Sequence, residues 1–136
     1  KPLKLFKLPQ PDLKPWEIIP AWFPGSAPEW AVYWAFEKLG WQFGVTVFYQ
    51  SPFAGGRIQA GAVVDFYVPS LSLDIRVQGI YWHYRNGNVI AKDLVQKTIL
   101  EASGAIVIDI DEDDAMRAPI KMVQDALIGV SHAKGT

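Results

Sequence analysis

The chain has 136 residues, half of them hydrophobic and 13% aromatic, so it is long enough for one domain with a buried core and too apolar to be disordered. Its formal charge of −1 excludes an overall basic field, and any binding of nucleic acid must therefore depend on a local patch. The lack of cysteine excludes disulfides, thiolate catalysis and cysteine-ligated zinc, and no apolar run is long enough to span a membrane. We expect an intracellular protein.

Proline dominates the first part of the chain. Seven of the ten prolines lie before residue 29, too closely spaced for a helix. We therefore predict an extended arm over residues 1–25, a folded domain over 26–130 and a tail over 131–136. Trp16, Trp22 and Phe23 make the arm apolar, so we expect them to be buried on the chain's own domain or on a protein partner, which includes a second copy of the chain.

The first helix has a clear start. Ser26-Ala27-Pro28-Glu29 is a capping box with proline in the first turn, and it predicts a helix over residues 30–39 that Gly40 ends. Apolar residues recur on this helix at a spacing of 3.6 and predict a buried stripe: Ala31, Val32, Ala35, Phe36 and Leu39. A second, aromatic face is expected to pack against the arm.

Three strands are predicted next. Alternating residues over 41–50 predict the first, and a loop over 51–59 follows, in which Arg57 is a candidate phosphate contact. Segments rich in β-branched and aromatic residues at 61–68 and 71–77 then predict a hairpin, since Pro69 and Ser70 separate them.

Polar residues lie at alternate positions of the second hairpin strand. The period of two places Leu73, Ile75 and Val77 on one face and Asp74, Arg76 and Gln78 on the other. We expect Asp65, in the neighbouring strand, to lie beside the polar face. An aspartate in an apolar strand is costly to bury unless it is hydrogen-bonded or bound to metal, which makes Asp65 a candidate site residue.

The remaining elements complete an α/β pattern. A helix is predicted over 89–103 with Leu94, Val95, Thr98 and Ile99 inward, and a short strand over 105–110, interrupted by Asp109. Residues 111–114 are acidic and open a last helix that runs to Ile128, in which Pro119 requires a first-turn position or a kink. This order predicts a mixed sheet flanked by helices.

The hairpin with Asp65, followed by Gly79-Ile80-Tyr81-Trp82-His83, resembles the PD-(D/E)XK, or restriction-endonuclease-like, nuclease superfamily, and within it the very-short-patch-repair endonucleases. The resemblance implies a restriction-endonuclease-like fold and Mg²⁺-dependent hydrolysis of DNA phosphodiester bonds. It implies that Asp65 and the carbonyl of Val77 hold the metal, and that the water is surrounded by Gln78, His83 and Glu29. Asp93, early in the following helix, is expected near this site.

The second metal-binding carboxylate has two possible registers. In one, Asp74-Ile75-Arg76 is itself the (D/E)-x-K motif with arginine for lysine. In the other, which we prefer because the Gly-x-Tyr-Trp-His pattern is rarer, Arg76 replaces the carboxylate. Arginine repels Mg²⁺ but binds carboxylate or phosphate bidentately, so we predict that Arg76 pairs with Asp65 and, with Arg57, contacts DNA.

An alternative function stays open. A catalytically degenerate copy of the nuclease fold would act as a structural or assembly subunit, for example of a phage particle or a nucleoprotein complex, and Mg²⁺ binding would then be weak or absent. The near-neutral charge, the apolar arm and Arg76 favour this alternative, whereas the hairpin motif favours the nuclease.

Overall fold

The computed structural model describes residues 12–49, 58–59, 62–79 and 87–133, without the side chains at 58–59, 62–63, 87–93 and 96. Four helices lie in these ranges: α1 (Ala27–Lys38), α2 (Gly87–Ala102), α3 (Glu112–Arg117) and α4 (Pro119–Leu127). The strands are β1 (Phe48–Tyr49), β2 (Ile58–Gln59), β3 (Ala62–Val63), β4 (Phe66–Val68), β5 (Leu73–Gln78) and β6 (Ile106–Asp111).

A mixed four-stranded sheet forms the centre of the fold, in the order β1-β4-β5-β6. The antiparallel β4–β5 pair places Phe66 opposite Ile75, and the parallel β5–β6 pair places Ile75 opposite Ile108. α2 makes the long crossover that a parallel pair requires. The predicted α/β architecture, with a mixed sheet flanked by helices, is confirmed.

The two faces of the sheet carry different side chains. Phe66, Leu73, Ile75, Ile108 and Ile110 pack into one large apolar core together with buried residues of α1 and α4. The other face has a smaller apolar cluster of Val64, Val107 and Leu100 of α2, next to buried charged residues. The alternation predicted for β5 is therefore confirmed.

The predicted start and buried stripe of α1 are confirmed. Ser26 Oγ accepts a hydrogen bond from the Glu29 N–H, and Glu29 Oε1 accepts one from the Ser26 N–H at 2.8 Å. Val32, Ala35 and Phe36 are fully buried in the large core, against which Leu39 also packs. The cap therefore fixes both the helix start and the position of the Glu29 carboxylate.

The described part of the arm packs on α1. A single 3-10 turn (Pro15–Glu17) carries Trp16, whose indole N–H donates to the Met116 carbonyl at 2.6 Å and whose ring lies 5.1 Å from that of Trp34. Phe23 is buried, as predicted, and Trp16 is half-buried. Trp22 is 63% exposed, so the domain does not bury it; its burial by a partner stays a prediction.

The first predicted strand is wrong over most of its length. The Gln42 carbonyl accepts hydrogen bonds from the N–H groups of Val45, Thr46 and Val47, which folds this segment into a tight turn. Gly44 supplies the left-handed backbone conformation of the turn, with φ of +84°. Only Phe48 and Tyr49 extend along the sheet, where they pair with β4.

The 61–68 strand and the last helix each divide in two. Ala62 and Val63 pair with β2, and the chain bends at Asp65 before β4 begins. The last helix breaks at Ala118, and Pro119 occupies the first turn of α4. N–H groups in the first turn make no hydrogen bond within the helix, so the lack of an N–H in proline has no cost there. None of the described helices is long and apolar enough to cross a membrane.

The inward face predicted for α2 is wrong. Leu94, Val95, Thr98 and Ile99 are exposed, whereas Leu100 is buried against the sheet. α2 covers the sheet face that carries charged residues, and Lys97 lies on that side with its ammonium group 3.9 Å from Asp109. α2 therefore packs on the sheet through Leu100, and Lys97 faces the charged residue of β6.

Candidate metal site at the ends of strands β4 and β5

Asp65 ends the hydrogen-bond ladder between β4 and β5. Its N–H donates to the Ile75 carbonyl at 3.0 Å, but the next donor of β5, the Val77 N–H, donates to Asp65 Oδ2 at 2.7 Å. A side-chain carboxylate thus takes the place of a backbone carbonyl. The bend at Asp65 therefore holds a half-buried negative charge at the C-terminal end of β5.

Tyr49 connects Asp65 with Glu29. In β1, Tyr49 pairs with Phe66, the residue after Asp65, and its hydroxyl donates to Glu29 Oε1 at 3.3 Å. Burial raises the pKa of the Tyr49 hydroxyl, and the charge and hydrogen bond of Glu29, followed by the charge of Asp65, raise it further. Two carboxylates from distant parts of the chain therefore both disfavour loss of the Tyr49 proton.

The backbone next to Glu29 leaves no room for a side chain. A Cβ atom at Gly25 would lie 2.6 Å from Glu29 Oε1 and would also meet the Tyr49 hydroxyl. Glu29 Oε1 already accepts hydrogen bonds from the Ser26 N–H and Oγ. With the Tyr49 hydroxyl as a third donor, these bonds fix the Glu29 carboxylate in one position.

Arg76 forms a buried bidentate ion pair with Asp109 of β6. The distances are 2.6 Å from Nε to Oδ1 and 2.9 Å from the terminal nitrogen to Oδ2, and the two residues are 5% and 2% exposed. Sequence reasoning missed this pair. Its signal was the aspartate that interrupts an apolar strand, but only the β5–β6 register places it opposite Arg76. The predicted pair of Arg76 with Asp65 stays a prediction.

A second group of carboxylates follows β6. Oxygens of Asp111, Asp113 and Asp114 lie within 4.8 Å of one another, in the part of the chain that the structure describes. Asp114 also binds Arg117 at 2.7 Å. Asp111 lies opposite Gln78 in the parallel pair, so this acidic group is at the same end of the sheet as Asp65.

The predicted site residues fall into two sets. Asp65, Val77 and Gln78 lie together at the C-terminal end of β5, and Tyr49 links Glu29 to them. His83 and Arg57 lie outside the described residues, as does the side chain of Asp93. The geometry thus brings three of the predicted residues to one end of the sheet, and Glu29 lies on α1, on the far side of Tyr49.

The structure is similar to the catalytic domain of the homing endonuclease I-Bth0305I. The TM-score is 0.53 and the sequences are 22% identical, over 74% of this chain and 93% of that domain. No protein-family model matches the chain, and no curated protein sequence matches it. The similarity shows that the chain shares its fold with an endonuclease catalytic domain.

Proposed function

We propose that the chain is a DNA endonuclease that hydrolyses phosphodiester bonds with Mg²⁺ bound at Asp65. One observation carries the proposal: the Asp65 carboxylate ends the β4–β5 ladder by accepting the Val77 N–H, at the point where β1 pairs with β4. The similarity to a homing endonuclease catalytic domain supports it. We further propose that the protein acts inside the cell, where its DNA substrate would be found.

The oxygen atoms at this end of the sheet fit a hard divalent cation. In a strand, the N–H and C=O of one residue point to the same neighbour, so the Val77 carbonyl is directed to the side of β5 on which Asp65 lies. Glu29 adds a second carboxylate, directly or through water. Asp109 neutralises Arg76, which lowers the repulsion of a metal ion by that guanidinium.

The remaining roles are proposed from the resemblance to the nuclease superfamily. When bound, Mg²⁺ would neutralise charge on the scissile phosphate and activate water. Gln78, next to Val77, is proposed to orient the water, and His83 is proposed to transfer a proton or contact the phosphate. Arg57 stays a proposed phosphate contact. For Arg76 we now propose a positioning role, because its guanidinium is buried against Asp109 and holds β5 to β6.

Cleavage assays test the proposal. Supercoiled plasmid and labelled duplex and branched DNA are incubated with wild type and Asp65→Asn in Mg²⁺, Mn²⁺ or EDTA. Loss of a metal ligand is expected to lower cleavage by about 100-fold or more, since even residues that only support ligands affect activity by 10–100-fold. Asp12→Asn, at an exposed position in the arm, is the matched control and retains activity.

The same assay locates the metal. Asp113→Asn removes one carboxylate of the acidic group after β6 and is expected to leave most of the cleavage in place. Activity lost with Asp113→Asn but kept with Asp65→Asn would move the metal to that group. Cleavage by wild type that EDTA does not inhibit would refute the metal-dependent mechanism.

A structural or assembly subunit is the second candidate function, in a phage particle or a nucleoprotein complex. It is favoured by exposed apolar side chains on α2 and in the arm: Ile18, Trp22, Leu94, Val95 and Ile99. Such a subunit would form a defined oligomer or complex without cleaving DNA. Sedimentation of wild type and Leu94→Ser/Val95→Ser tests it, because an assembly that uses this face dissociates in the double variant.

A further inference from the structure

An aromatic pocket opens next to Tyr49, whose hydroxyl donates to Glu29. Its volume is about 220 Å³. Six aromatic side chains line it, contributed by the arm, α1 and the segment that ends in β1: Trp22, Phe23, Tyr33, Phe43, Phe48 and Tyr49. The folded arm therefore supplies one wall of a ligand-sized cavity.

The size and walls of this aromatic pocket define what it can hold. Sites for drug-sized ligands range from about 300 to 1,000 Å³, so a smaller pocket suits a single planar ring system. Tyr33 and Phe43 stack face to face at 3.7 Å and form a rigid wall. Trp22 contacts Phe23 and Tyr33 edge-on and keeps most of its surface exposed, which leaves it accessible for stacking.

Tyr49 belongs both to the aromatic pocket and to the candidate metal site. Its ring lines the pocket, its hydroxyl donates to Glu29, and its backbone pairs with Phe66, the residue after Asp65. A ligand in the pocket is thus separated from the Glu29 carboxylate by one side chain. A nucleic-acid strand that places a phosphate at Asp65 would bring a nearby base within reach of the pocket.

We propose that the aromatic pocket binds one unpaired base of the DNA strand that is cleaved, a proposal that rests on the proposed function. The net charge of −1 provides no overall basic field, so binding of DNA needs local contacts in addition to long-range attraction. Stacking on aromatic rings compensates for this: removal of one stacking ring weakens binding of a base by about 5- to 150-fold. The substrate is then DNA with a bulged, flipped or single-stranded nucleotide.

Binding in EDTA tests the pocket apart from catalysis. Three duplexes are compared by fluorescence anisotropy: fully paired, with one unpaired 2-aminopurine, and with an abasic residue at the same bulge. Wild type is expected to bind the 2-aminopurine bulge at least about fivefold more tightly than the abasic bulge, and stacking should quench the 2-aminopurine emission.

Variants assign the preference to the pocket. Trp22→Ala and Phe48→Ala are each expected to abolish the preference, whereas Trp34→Ala, which removes a tryptophan outside the pocket, retains it. Circular dichroism verifies folding. The proposal is overturned by any of three results: equal affinity for the two bulges, a preference unchanged by both pocket variants, or no DNA binding. Binding of N-acetyltryptophanamide without any preference for the unpaired base also overturns it, because the occupant would then be an aromatic side chain.

The two proposals fail separately. Cleavage that depends on Asp65 but shows no preference for the unpaired base refutes the pocket alone. Conversely, wild type could prefer the unpaired base, and lose this preference in Trp22→Ala, without any cleavage that depends on Asp65. That result supports the pocket and refutes the nuclease.

Discussion

The two faces of β5 are both buried, yet they are stabilised differently. On one face, Leu73 and Ile75 pack into the large apolar core, where stabilisation is non-directional and grows with the apolar area that is buried. On the other face, Arg76 lies in an ion pair whose charges are costly to bury unless both are present. The stability that the apolar face provides thus depends on the volume that is packed, whereas the polar face depends on specific charged partners.

This contrast explains where the candidate site lies. The apolar face stabilises the sheet, and the polar residues at the strand ends therefore need not contribute to the core. Asp65 and Val77 lie where the β4–β5 ladder ends, so a cation could bind there without disturbing the apolar packing. The Arg76–Asp109 pair fixes β5 against β6 immediately before that point.

Reversal of one charge on the polar face is expected to have the largest effect. Arg76→Glu places a carboxylate opposite Asp109, and removal of one partner of a buried ion pair already costs about 3–5 kcal/mol. We expect a loss of stability at least that large in urea unfolding.

The charge-swapped double variant is the matched control. Arg76→Glu/Asp109→Arg should recover at least half of the lost free energy of unfolding, because the pair is restored with its charges exchanged. A double variant as unstable as Arg76→Glu alone would show that the pair does not stabilise the fold.

The apolar face is tested by truncation of Ile75. Ile75→Ala is expected to cost about 2–5 kcal/mol in urea unfolding, because the residue is fully buried, and the conservative Ile75→Val about 0.5–1.5 kcal/mol. Ile106→Ala, at a half-exposed position on β6, is the control and should cost less than Ile75→Ala. Equal losses for Ile75→Ala and Ile106→Ala would contradict the assignment of the core.

Gly25→Ala is expected to disturb the site more than the fold. The added Cβ meets Glu29 Oε1 and the Tyr49 hydroxyl, which are the ends of side chains, so we expect a cost of about 1–3 kcal/mol and a clear loss of DNA cleavage. Gly104→Ala is the control: its φ of +95° makes the substitution destabilising, but no atom lies within 4 Å of the new Cβ. Loss of cleavage with Gly104→Ala as well would show a general effect of stability.

The smallest effect is expected at an exposed ion pair. The hydrogen bond from His132, followed by that from Lys121, lowers the pKa of Asp125 below 3.8. A carboxylate with a lowered pKa contributes stability above its unfolded pKa and loses this contribution as the pH falls through the folded pKa. The contribution of Asp125 is therefore complete at neutral pH and is lost only below about pH 3.8. His132→Ala should raise the Asp125 pKa in a carboxyl NMR titration and lower stability at pH 7 only slightly, because the pair is exposed; an unchanged pKa would contradict the pairing.

Local signals in the sequence predicted the elements that depend on local rules. The capping box at Ser26 and Glu29, the hairpin around Pro69 and the break at Pro119 all occur as expected, because each follows from the chemistry of a few adjacent residues. The turn at Gly44 was missed because its residues alternate like those of a strand.

The pairing between distant strands could not be predicted. Asp109 becomes the partner of Arg76 only through the parallel β5–β6 register, which no local pattern encodes. The orientation of α2 has the same cause, since it depends on which sheet face the helix covers. The aromatic pocket was missed likewise, because the arm, α1 and β1 contribute to it from separate segments.

Anomalous diffraction from crystals soaked in Mn²⁺ tests the central claim most directly. The account predicts a peak within about 2–2.5 Å of an Asp65 carboxylate oxygen and of the Val77 carbonyl oxygen, a peak that is absent in Asp65→Asn. A peak among Asp111, Asp113 and Asp114 instead, or none at Asp65 in a crystal saturated with Mn²⁺, would contradict it.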